Sequence, residues 1–153
     1  MQFTVRGVPQ QVADEVRRTG RSPGYGHPAH LEIATGTGPC RCCLRTFVPG
    51  ADRRLLFTYR PPRSGSLTAP GPVFIHADHC EAFAGNGFPE GLRALPLAME
   101  ARADGTRVTG FSADQDQPVE ARIQHLFTAT GAQWLQLRHA EAGCFIATID
   151  ESH

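Results

Sequence analysis

Sixteen glycines and twelve prolines interrupt this 153-residue chain. Each proline removes a backbone donor and each glycine loosens a helix, so long helices are excluded over most of the sequence. One segment escapes. From Pro118 to Thr130 the residues Val119, Ile123, Leu126, Phe127 and Thr130 recur at helical spacing, and Gly131 follows in the position of a left-handed cap. A shorter helix is expected after Pro9, where Val12 and Val16 lie one turn apart and Gly20 ends the run. Asp14 and Arg18 stand at the spacing of a helical ion pair.

The remainder reads as strands and turns. Leu97–Ala103 and Thr106–Ala113 flank Asp104-Gly105, a dipeptide suited to the left-handed turn of a hairpin. Phe3–Val8, Leu31–Thr35 and Val73–Ala77 read as short strands. Cys40–Val48 and Arg54–Tyr59 read as a hairpin closed near Pro49-Gly50, and Trp134–His139 and Cys144–Ile149 as a final pair. Residues 61–72 hold four prolines and two glycines and form the longest loop, of the kind that covers a site. The order argues for an α+β fold over 1–153 as a single domain. A largely antiparallel sheet would be built from hairpins, with one main amphipathic helix at about 118–130 packed on it and a short N-terminal helix.

Charge removes several function classes. Fifteen basic residues balance fifteen acidic ones, so no net field draws nucleic acid or an anionic membrane. Every basic residue is arginine, which excludes lysine Schiff-base chemistry and the P-loop lysine. This bias accompanies GC-rich bacterial coding. No run reaches the roughly 18 apolar residues of a membrane helix, and Met1–Pro9 lacks the pattern of a secretory leader. The odd cysteine count then favours reduced thiols in the cytoplasm.

Chemistry concentrates in two clusters. Cys40-Arg41-Cys42-Cys43 contains a Cys-x-x-Cys, and His76-Ala77-Asp78-His79-Cys80 contains a His-x-x-x-Cys. Thiolate and imidazole are the ligands zinc prefers, so Cys40, Cys43, His76 and Cys80 make a metal set. On the strand read for Cys40–Val48, Cys40 and Cys42 share one face and Cys43 takes the other, so at most one or two of these thiols can meet His76 and Cys80. The rival reading is thiol or acid–base chemistry by Cys43 or Cys80 with His76, with Arg41 or Arg45 as the cation that lowers a thiol's pKa. His27 and His30 lie in a Pro/Gly-rich loop and are expected to be solvated or to cap a pocket. Arg138 precedes the last turn and can hold an anionic group in its fork.

The residues Arg41-Cys42-Cys43-Leu44-Arg45, then Gly71-Pro72-Val73-Phe74-Ile75-His76-Ala77 with Cys80, then Gly143-Cys144-Phe145, resemble the bacterial proteins grouped as domain of unknown function 1203. The resemblance runs from about Leu31 to Asp150. It implies no activity, and it draws Arg41, Cys43, His76, Cys80 and Cys144 into one constellation.

The resulting expectation is a small-molecule-binding protein or cofactor-independent enzyme. Its pocket would carry His76, Cys43 and Cys80 as catalytic groups and Arg41, Arg138 and Cys144 as substrate-binding groups, under the 61–72 loop. The partner would be a small molecule, anionic by the arginines, with no nucleic acid and no membrane; a homodimer stays open. Two alternatives stand beside it. One is a zinc-binding structural module using the Cys40–Cys43 and His76–Cys80 clusters. The other is a non-catalytic interaction or dimerisation domain whose cysteines only pack.

Overall fold

The computed structural model describes residues 2–63, 69–103 and 107–152. The architecture is α+β with two antiparallel sheets and two helices. The elements in chain order are β1 (Gln2–Arg6), α1 (Gln10–Thr19), β2 (His30–Ile33), β3 (Arg53–Tyr59), β4 (Gly71–His76), β5 (Leu97–Ala103), β6 (Arg107–Ser112), α2 (Val119–Thr130), β7 (Trp134–His139) and β8 (Phe145–Ser152). The larger sheet runs β1-β8-β7-β5-β6 and the smaller β2-β3-β4. No helix among the described residues is long and apolar enough to cross a membrane.

Helix α2 follows the sequence pattern closely. Pro118 precedes it in an extended conformation, and Gly131 closes it at φ 69°, a value glycine adopts at little cost. Ile123, Leu126 and Phe127 are buried and His125 is exposed. The helix lies so close to β6 that a Cβ on Gly110 would stand 2.6 Å from Thr130 Cγ2. Its apolar stripe joins Leu97, Met99, Leu135, Leu137, Ile146 and Ile149 in the core of the larger sheet. Helix α1 buries Ala13 and Val16 in a second core, with Phe47, Val73, Ile75 and four cysteines. Truncating Ile75 there to alanine would cost about 2–5 kcal/mol.

Two expectations change. The single sheet becomes two, because the first strand pairs with the last, Val5 opposite Ile149, and not with its sequence neighbours. The Cys40–Val48 strand and its hairpin with Arg54–Tyr59 do not form: β3 lies between β2 and β4 instead. Residues 41–43 form a turn, held by an isolated bridge between Pro39 and Thr46. The reason is local. Leu44 adopts φ 62°, the left-handed region, which reverses the chain where a strand would continue. β5 and β6 pair as expected, Ala103 opposite Arg107, while the Asp104-Gly105 turn lies outside the described residues.

Candidate metal centre

The turn after Cys40 is fastened on several sides. Leu44 N–H donates to Cys40 O (2.8 Å) and Cys40 N–H to Arg45 O (2.9 Å), closing a loop around Arg41, Cys42 and Cys43. Arg41 N–H donates to Phe74 O on β4 (2.9 Å), and Val8 N–H to Arg41 O (2.7 Å). Two glycines permit the close approach. A Cβ on Gly7 would lie 2.0 Å from Arg41 O, and one on Gly91 would lie 2.8 Å from Leu44 O. Leu44 is fully buried in the main core, which offsets the roughly 1–2 kcal/mol a non-glycine residue spends in this backbone region.

This turn reverses the facing that a strand would impose. Cys40 and Cys43 converge, while Cys42 turns its thiol to Cys80 O (3.7 Å) and is not one of the four whose ligand atoms lie mutually close. With His76 at the end of β4 and Cys80 just beyond it, their ligand atoms all lie within 4.8 Å of one another, an arrangement that can hold a metal ion. Cys40 Sγ is 3.8 Å from Cys80 Sγ, and Cys43 Sγ is 3.5 Å from His76 Nδ1. All five cysteines are free. The three thiols of the cluster are buried and His76 is half-buried.

The surrounding groups act on these ligands. His76 turns Nε2 to Asp52 Oδ2 (3.3 Å), and Asp52 Oδ2 also accepts Val48 N–H (2.8 Å). The Val48 amide is the first reason that carboxyl sits below its ordinary range, with His76 adding to it. Arg17 reaches across from α1, donating Nη2 to Cys80 Sγ (3.0 Å) and Nε to His76 O (3.1 Å). His76 N–H donates to Cys40 Sγ (3.2 Å). Hydrogen bonds to Cys40 and then Cys43 raise His76 to about 10. Hydrogen bonds from Cys40 and Cys80 push the Cys43 thiol well below its ordinary range, while Cys40, bonded to Cys43, is pushed up.

Arg41, Arg138 and Cys144 do not join this group. Arg41 is buried, donating Nε to Phe145 O (2.9 Å) and Nη1 to Pro39 O (2.8 Å), so it ties the cysteine turn to β8. Burial lowers its pKa to about 10. Arg138 and Cys144 line a separate pocket with Tyr59, Pro61, Gly71 and Pro72. That pocket is at the Gly71 end of β4, about 16 Å along the strand from His76. The 61–72 loop therefore begins and ends there, with residues 64–68 outside the described set. His79 is exposed between Asp14 and Glu81, and His27 bonds Thr58 Oγ1 (2.8 Å) at the surface. Asp52 and Arg17 carried no signal in the sequence: one sits in an ordinary turn, the other in a short basic run.

The family described as protein of unknown function (DUF1203) matches residues 37–151. No curated protein and no solved structure matches the chain.

Proposed function

The chain belongs to the DUF1203 family, which brings no activity with it, and we propose that it is a zinc-binding protein whose Cys40, Cys43, His76 and Cys80 form a closed structural centre. One observation carries the reading. Zinc binds thiolate at about 2.3 Å and imidazole at about 2.0–2.1 Å in a tetrahedron, whose edges are then about 3.8 Å between sulfurs and about 3.6 Å between sulfur and nitrogen. The Cys40–Cys80 and Cys43–His76 separations are 3.8 and 3.5 Å. A disulfide would need about 2.05 Å, so the sulfurs are spaced for a shared ion and not for a bond to each other.

The outer groups support the same reading. Metal-bound histidine commonly offers its second nitrogen to a carboxylate, as His76 does to Asp52. Three thiolates and one divalent cation carry a charge of minus one, and Arg17 at Cys80 Sγ supplies the compensating plus one. Four protein ligands leave no position for water, which is the pattern of a structural site and not a catalytic one. Such a centre would pin the cysteine turn, β4 and α1 together.

A second reading rests on the line Cys43–His76–Asp52, which has the order of a nucleophile, base and orienting acid. It gives Cys40 and Cys80 no role at the same point, and Cys43 is buried. Chelation separates the two readings. Prolonged treatment with a strong zinc chelator should lower the melting temperature by more than 10 °C, with recovery on adding zinc. An unchanged melting temperature, together with rapid alkylation of Cys43 in the native protein, would support the thiol reading instead.

A further inference from the structure

At the end of β4 away from the cysteines, Tyr59, Pro72, Val73, Arg138, Cys144 and Phe145 enclose a pocket of about 190 Å³. Its walls mix apolar and polar surface, the apolar part somewhat larger. Arg138 Nε stands 2.5 Å from Glu100 Oε1 as an ion pair out of line for a hydrogen bond, and Nη1 donates to Gly143 O (3.2 Å). Glu100 gives its other oxygen to Arg102 Nη2 (2.6 Å), so Arg138 has one carboxylate oxygen where a full fork would take two. Its Nη2 makes no hydrogen bond among the described residues. Tyr59 sets its ring against Phe57 and Phe145, and its hydroxyl likewise makes no hydrogen bond among the described residues. Behind the wall, Arg41 donates to Phe145 O and adds a second fixed cation.

We propose that this pocket binds a small monocarboxylic acid with an apolar body. Arg138 Nη2 and the Tyr59 hydroxyl hold the carboxylate, and the Phe145, Val73 and Pro72 surfaces take the body. The pocket holds roughly six waters' worth of volume, below the range of sites for drug-sized ligands, so the acid is about the size of benzoate. A neutral analogue loses the charge-assisted bond to Arg138 and binds less well. The site is independent of the metal centre.

Cys144 supplies a reporter, because it is partly exposed at this pocket while the other four cysteines are buried. The full-length protein is titrated with benzoate and, separately, with benzamide. Alkylation of Cys144 by iodoacetamide, in which the sulfur displaces iodide, is followed by peptide mass spectrometry. Saturating benzoate should slow that alkylation at least fivefold, and benzamide should not. Benzoate affinity should fall at least tenfold in R138Q and several-fold in Y59F, which keeps the ring packing and decides the matter if R138Q does not fold. Equal protection by benzamide, no binding of benzoate at 10 mM, or unchanged benzoate affinity in Y59F and a folded R138Q would overturn the assignment.

Discussion

Cys40 and Cys80 are forty residues apart in the chain, yet their sulfurs stand 3.8 Å apart on the buried side of the smaller sheet. Two structural choices produce that meeting. The left-handed turn at Leu44 aims Cys40 and Cys43 together, and β4 ends so that His76 and Cys80 close the other side. Cys42, between the first two, is excluded; its thiol donates to Cys80 O (3.7 Å).

That geometry separates the cysteines by experiment. Cys40→Ser, Cys43→Ser and Cys80→Ser should each weaken zinc binding at least a hundredfold. Cys42→Ser should keep full stoichiometry and lose about 1–2 kcal/mol of stability from burying a hydroxyl. Titration with a chromogenic chelator measures both. Loss of zinc from the Cys42 variant would place the ligands wrongly.

In the proposed centre Asp52 would act through His76, whose Nε2 it meets, and not on the ion. Asp52→Ala should therefore lower zinc affinity by about 10–100-fold while leaving one ion per chain at saturation. Asp52→Asn, which keeps an oxygen facing Nε2, should retain more affinity than the alanine variant. A competition assay that ranks the two alike would argue against the contact.

Arg41 fastens the cysteine turn to β8 through carbonyl oxygens alone. Arg41→Met should destabilise the protein by about 2–4 kcal/mol, because Phe145 O and Pro39 O lose their donors in a buried place. Denaturant unfolding reads the loss. Zinc stoichiometry in the folded variant should not change.

Tyr59 titrates late, because burial pushes its phenol up to about 12. The only other tyrosine, Tyr25, is exposed. Between the ordinary value near 10 and 12 the unfolded chain has lost a proton that the folded chain keeps. Stability therefore falls as pH rises through this window. Ultraviolet titration should show a late step, and Tyr59→Phe should remove it.

How much of this was legible in the sequence depends on whether the determinant was local. The 119–130 helix was readable because its stripe and its Gly131 cap lie within one segment. The residue types of the Cys40, Cys43, His76 and Cys80 cluster were readable, but its convergence was not, since the strand reading let at most one or two of those thiols meet. The reversal at Leu44 was not, since leucine gives no sign of a left-handed backbone, and the strand reading therefore paired Cys40 with Cys42. Pairing of β1 with β8 joins the two ends of the chain, which no local pattern announces. That Arg41 donates to two carbonyls was not legible either, because an arginine satisfied by carbonyls and one offered to a ligand are spelled alike.

The most direct test of the central claim is elemental analysis of protein purified without chelator or nickel resin and then dialysed. The account predicts one zinc per chain. A folded, monodisperse protein that holds no metal and takes up none from added zinc would contradict it.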